Sequence, residues 1–358
     1  MHGAAMQAVR SSPLVQNTRL ETPHHDVIGT RFVQRLLVAN RAMSWQAVTT
    51  EPNELGESPF WHPQEQMLYW VDIAGQQILR SNGDMGSVET WDMPTAPGCI
   101  APAASGGLVI ALRHGVFRAR AWHGPLQHIA TLDYNPALMR ANDGKCDALG
   151  RFWIGTIDET RVTRNAALYS LDCRAGRTPL VECKLDPSTL PATTANGLAW
   201  SPDGRTLYWA DTTSHAVYAW DYALRSNSMT AQRTFLQFEP KPAGWQFDPA
   251  GDLSGNFSGY RGRPDGAAVD VHGNYYVAMF EGRRVCKFAP TGALLAEFAT
   301  PAQCPTMPCF GGADLQTLYL TSARHQRSAA ELQAFPLSGC VFSMRVEVPG
   351  LPVNFFAD

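Results

Sequence analysis

The sequence predicts an all-β fold, a six-bladed β-propeller closed around a central channel. Three observations predict it. A similar unit recurs six times at roughly 40–70 residues, close to the ~40–50 of propeller blades once loop insertions are allowed. Each unit carries a short aromatic or β-branched run bounded by turn signals, the pattern of a strand. No alternation of strand and helix patterns exists that would build a doubly wound sheet.

Taken in order, residues 1–42 stand apart. They hold five Arg, a His-His pair at 24–25 and no strand pattern, with a basic amphipathic stretch at 31–42. They are expected to be a poorly ordered extension, or the product of an upstream start with Met43 as the true one, leaving 43–358 as the propeller. The units then follow at 56–81, 98–120, 146–172, 197–221, 266–292 and from 312 onward. Their core runs are Leu68-Tyr69-Trp70, Leu108-Val109-Ile110, Phe152-Trp153-Ile154, Leu207-Tyr208-Trp209, Tyr275-Tyr276-Val277 and Leu318-Tyr319-Leu320. The last run, 341–357, is long enough to lend strands to the first blade, which would close the ring and remove two exposed sheet edges. Between the fourth and fifth units lies a long loop-like stretch, 236–263, with five Gly and the aromatics Phe238, Trp245, Phe247, Phe257 and Tyr260. A loop of that length is functional or disordered, and its aromatics favour order, so a lid over one mouth is expected.

Composition narrows the function. The chain has 358 residues, a net charge of −3 and 17% charged residues. No basic excess exists to neutralise phosphates, which argues against nucleic acid. No run approaches the ~20 apolar residues of a membrane span. Eight scattered cysteines and a start without the shape of a secretory signal predict free thiols in the cytoplasm. A monomer or weak homo-oligomer is expected. The histidines are scattered, and neither a Gly-x-Ser-x-Gly elbow nor a phosphate-binding Gly-rich loop is present.

The chemistry lies at the starts of the units. Glu57 follows Gly56, Asn142 and Asp143 precede Gly144, Asn196 precedes Gly197, and Asp265 precedes Gly266. Singly, each reads as a turn residue. Together they place acids and amides at corresponding points of a ring, where they meet at the axis. Carboxylates with one or two amide oxygens suit a hard divalent cation such as Ca²⁺ or Mg²⁺. So few protein ligands leave positions for water and substrate.

Five segments in order, GESPFW, RANDGKCD, ANGLAWSPDGRTLYWAD, RPDGAAVD and PTMPCFGGADLQTLYLTSAR, together resemble the senescence marker protein (regucalcin)/gluconolactonase/luciferin-regenerating enzyme family from about Leu55 to Arg324. The resemblance implies a six-bladed propeller, one divalent metal in the channel and hydrolysis of a sugar lactone. It implies Glu57, Asn196 and Asp265 as metal ligands, Ca²⁺ foremost, with Zn²⁺, Mn²⁺ or Fe²⁺ compatible. It implies that Asn142 faces metal and substrate and that Arg140 contacts substrate, with Asp143 a nearby acid. Some relatives carry a sugar-contacting glutamate where this chain has Thr160; Glu159, beside it, is the substrate-binding candidate here. Asp265 is the expected general base for the attacking water. The competing reading is a calcium-binding regulatory propeller without activity; a third is a related enzyme acting on bulkier esters.

Overall fold

The computed structural model describes residues 44–83, 86–174, 178–249 and 260–358. The extension 1–42 lies outside them, as does the stretch of the expected lid that includes Phe257.

Six four-stranded antiparallel sheets form the blades among the described residues. A two-residue strand, β1 (Gln46–Ala47), comes first. Blade one is β2 (Gly56–His62), β3 (Met67–Asp72), β4 (Gln77–Ser81) and β5 (Glu89–Asp92). Blade two is β6 (Pro97–Pro102), β7 (Leu108–Leu112), β8 (Gly115–Ala119) and β9 (Gln127–Ala130). Blade three is β10 (Met139–Cys146), β11 (Phe152–Asp158), β12 (Leu168–Asp172) and β13 (Leu180–Leu185). Blade four is β14 (Ala195–Trp200), β15 (Thr206–Asp211), β16 (Ala216–Ala223) and β17 (Ser228–Gln237). Blade five is β18 (Arg263–Val269), β19 (Tyr275–Phe280), β20 (Arg284–Phe288) and β21 (Leu294–Ala299). Blade six is β22 (Pro305–Gly311), β23 (Thr317–Ser322) and β24 (Phe342–Arg345), with β1 as its outer strand.

The six core runs read from the sequence are the second strands of the six blades. They are apolar without interruption because each sheet is covered on both faces. Successive residues of a strand point to opposite faces, and both faces here are interior. Leu68 and Trp70 of β3 pack into the cluster shared by blades six and one, while Tyr69 and Val71 pack into the one shared by blades one and two. Leu207 and Trp209 of β15 likewise join blades three and four, and Tyr208 and Ala210 join four and five. Blades two and three meet through Val109, Phe152 and Ile154, and blades five and six through Tyr276, Leu318 and Phe342.

Two expectations are corrected. The ring is not closed by the C-terminal run entering the first blade; the N-terminal β1 pairs with β24, Gln46 opposite Ser343 and Ala47 opposite Phe342. Only Phe342–Arg345 of the last run is strand. After it the chain crosses the end of the channel away from the blade starts: Leu351 donates its backbone N–H to Val269, Phe356 to Pro102, and Ala357 to Gly150. Phe356 is fully buried there. The sixth unit also begins earlier than Gly312, because its inner strand is β22. The loop between β23 and β24 carries one short helix, α1 (Ala329–Ala334), whose N-cap Ser328 accepts a hydrogen bond from the Glu331 N–H.

Candidate functional site

All six inner strands break register with their neighbour near the start. In β2 the break falls between Glu57 and Phe60, in β10 between Ala141 and Gly144, in β14 between Asn196 and Ala199, and in β18 between Pro264 and Ala267. The strands β6 and β22 do the same after Pro97 and Pro305. Each is a bulge, which adds local twist and re-aims side chains. Two bulges use left-handed backbone, Ser58 at φ 49° and Gly197 at φ 60°. At Gly197 a side chain would meet the Tyr275 hydroxyl at 2.4 Å as well as being strained, so glycine is required there.

The bulges bring Glu57, Arg140, Asn142, Asn196 and Asp265 to one cavity of about 390 Å³, which Thr194, Thr212, Lys241, Arg263, Glu281 and Arg327 also line. A hydrogen-bond relay runs through its floor. Arg140 Nη1 donates to Asn142 Oδ1 (2.7 Å), Asn142 Nδ2 to Asn196 Oδ1 (2.8 Å), Asn196 Nδ2 to Thr212 Oγ1 (2.7 Å), and the Thr212 hydroxyl to the Pro264 carbonyl (2.7 Å). The direction is forced from both ends. Arginine only donates and a carbonyl only accepts, so each amide has one orientation. Thr212 links the fourth blade to the residue before Asp265, a role with no motif to announce it.

The acids are buried. Burial, and then the Asp265 and Asp143 carboxylates, push the Glu57 carboxyl well above the usual carboxylate range. Burial and Asp143 raise Asp265 in the same way, against the pull of Arg263. Asp143 does not line the cavity. It sits beneath, its Oδ2 accepting from the Leu198 N–H (2.9 Å) while Oδ1 is buried with no hydrogen-bond partner among the described residues. Burial raises it too, opposed by Lys145, whose ammonium donates to the Leu198 and Ala267 carbonyls.

Among the described residues no three His, Cys, Asp or Glu side chains draw together as a metal-ligating group. The expected ligand set has only two acids and takes its third oxygen from Asn196. Asp265 and Asp143 raise Glu57, and Asp143 raises Asp265, so the cluster favours added positive charge, and the oxygen-only donor set fits a hard divalent cation.

Glu159 is placed differently from the cavity residues. Its carboxylate clamps Arg113 (2.7 and 3.1 Å) and approaches Arg140 Nε (3.3 Å), so it orients Arg140 from outside the main cavity. The Thr160 hydroxyl is spent on Asp158 Oδ1 (2.5 Å). The next residue, Arg161, lines the cavity instead. The described flanks of 236–263 lie on the same side: Lys241 lines the cavity, Trp245 packs edge-on against Tyr260, and Phe247 packs against Phe335.

Residues 55–324 match the model of the SMP-30/Gluconolactonase/LRE-like region. The chain is 38% identical to a 6-deoxy-6-sulfogluconolactonase of Pseudomonas putida over 87% of this chain and 98% of that one. It is 33% identical to regucalcin of Danio rerio over 86% of this chain and 96% of that one. Its fold is similar to the crystal structure of a calcium-binding protein, regucalcin, from Agrobacterium tumefaciens, with a TM-score of 0.75 at 23% identity, covering 88% of this chain and 97% of that one.

Proposed function

Because this chain belongs to the SMP-30/Gluconolactonase/LRE-like family, we propose that it is a metal-dependent hydrolase that opens a sugar (aldono-) lactone to the aldonic acid in carbohydrate catabolism. The observation that carries the reading is the pair of buried, pKa-raised carboxylates Glu57 and Asp265 facing one polar cavity with the Asn196 amide oxygen. Glu57, Asn196 and Asp265 would hold one divalent cation, Ca²⁺ by its preference for oxygen ligands, with Zn²⁺, Mn²⁺ or Fe²⁺ compatible. When bound, such an ion supplies Lewis acidity for the lactone carbonyl.

The rest is the work of the chain's own residues. Arg140, fixed by Glu159 and by its bond to Asn142, presents its guanidinium to the substrate oxygens. Asn142 donates to Asn196 and so holds that amide in one orientation. Asp265 takes the proton of the attacking water as the carbon–oxygen bond to water forms, and returns it to the ring oxygen as the ring bond breaks. The 38% identical relative, named for a sugar lactone, supports the substrate class. Eight unpaired cysteines support a reducing, cytoplasmic compartment.

The test is acid release from a panel of aldonolactones, with and without chelator and with each metal restored. Chelator-sensitive hydrolysis of at least one lactone is expected, and Asp265→Asn is expected to abolish it. Full binding of Ca²⁺ with every lactone left intact would establish the regulatory propeller instead.

A further inference from the structure

One wall of the cavity is built of cations that bear on the hydrolysis just described only through the pull of Arg263 on Asp265. Lys241, Arg263 and Arg327 converge on the single carboxylate of Glu281. Lys241 Nζ lies 2.8 Å and Arg327 Nη1 3.0 Å from Oε1, and Arg263 Nη2 lies 3.6 Å from Oε2. The Tyr260 hydroxyl donates to the same Oε2 (2.9 Å). Glu331 engages Arg327 through two further bonds of 2.8 and 2.7 Å. Lys241, Arg263 and Arg327 stand against Glu281 and Glu331, Arg263 also acts on Asp265, and all three cations line the cavity that holds Glu57 and Asp265.

Arg263 is the under-bonded member. Its Nε is buried without a hydrogen-bond partner among the described residues. The contact of 3.6 Å to Glu281 is longer than a hydrogen bond; the guanidinium also lies 5.3 Å from the Phe280 ring centroid and acts on Asp265 through space, without a hydrogen bond to it. A guanidinium has five N–H donors in a planar fork suited to oxyanions, and leaving a buried donor unpaired costs about 1–3 kcal/mol. On the blade-three side of the cavity, Arg161 also makes no side-chain hydrogen bond or ion pair with a described residue. A neutral sugar hydroxyl cannot neutralise such a wall, whereas an oxyanion can.

We infer that the preferred substrate is a lactone bearing an anionic oxyanion group (phosphate, sulfonate or carboxylate) on the sugar end remote from the ring carbonyl, held by Arg263 with Lys241 and Arg327 beside it. The inference rests on the lactonase reading. The carbonyl belongs at Glu57, Asn196 and Asp265, so the cationic wall is left for the other end of the molecule.

The experiment uses the full-length chain with saturating Ca²⁺ and four substrates: an unsubstituted aldonolactone and the same lactone carrying a phosphate, a sulfonate or a carboxylate at its terminal carbon. At least one anionic lactone is expected to exceed the neutral one in kcat/KM by about tenfold or more, with the advantage shrinking as salt is raised. Comparing the three anionic arms identifies the oxyanion. Arg263→Met is expected to bring the anionic-to-neutral ratio close to one. Lys241→Met, which leaves Arg327 bonded to Glu281, is expected to lower the same ratio by about threefold to tenfold, with the urea midpoint measured alongside to separate folding from binding. A neutral lactone hydrolysed as well as all three anionic ones overturns the inference and leaves the lactonase reading standing. So does an anionic preference that both variants retain. No hydrolysis of any of the four overturns both.

Discussion

The two ends of the channel are built from the same six strands and have opposite characters. The starts of β2, β10, β14 and β18 supply Glu57, Arg140, Asn142, Asn196 and Asp265 to an open polar cavity. Their later residues, with those of β6 and β22, line a second, mainly apolar cavity with Phe60, Trp61, Ile100, Trp200 and Met307, crossed by the tail residues Leu351–Asn354. The two cavities share no lining residue. Lys145 lines the second cavity and Asp143 lines neither, and the Lys145 ammonium donates to the Leu198 and Ala267 carbonyls. One end therefore carries buried charge whose cost function must justify, and the other carries the packing that bears that cost. Substitutions at the two ends should separate activity from stability.

The largest effect is expected at Glu57→Gln. Lactonase kcat/KM should fall by about 10³-fold or more, since the change removes a charge from the proposed metal-holding set. In chelated protein the same change should raise Tm, because it removes a buried carboxyl that Asp265 and Asp143 repel. A variant that loses Tm along with activity would break the contrast. Next comes Phe356→Ala at the far end. Emptying a fully buried ring site should cost about 3–5 kcal/mol in urea unfolding. Activity per folded molecule should stay within about twofold, because the proposed site at Glu57, Asn196 and Asp265 is untouched. Lys145→Met tests the boundary. It strands the Leu198 and Ala267 carbonyls and leaves Asp143 without its cation, at a cost of about 2–4 kcal/mol.

The smallest expected effect concerns acid. Hydrogen bonds from Thr160 and Thr163 overcome burial and hold the Asp158 carboxyl down at about 2. A depressed carboxyl stabilises the fold above its unfolded value and loses that contribution as pH falls through the folded one. Asp158→Asn should thus have a lower urea midpoint than the parent at pH 7. The two midpoints should converge as pH falls from about 4 towards about 2.

The blades were legible because their second strands are buried on both sides and so read as unbroken apolar runs, as at Phe152-Trp153-Ile154. The convergence of Glu57, Asn142, Asn196 and Asp265 on one cavity was legible because bulges leave short-range traces, an acid or amide beside glycine, as at Asn196-Gly197 and Asp265-Gly266. Closure was not legible. Gln46–Ala47 is too short to show a period, and the apolar residues after Arg345 resemble a strand although they serve as a packed tail. The pairing of Thr160 with Asp158, and of Glu159 with Arg113 and Arg140, leaves no trace in sequence spacing. The cationic wall leaves none either, because Lys241, Arg263 and Arg327 come from three separate stretches of chain and meet only around Glu281.

The tail across the far mouth also bears on traffic. On the proposed reading, a lactone held at Glu57, Asn196 and Asp265 reaches them through the polar mouth, because the tail residues Leu351–Asn354 line only the far cavity. The acid made from it would leave by that same mouth, past Lys241, Arg263 and Arg327, and would compete there with the next lactone.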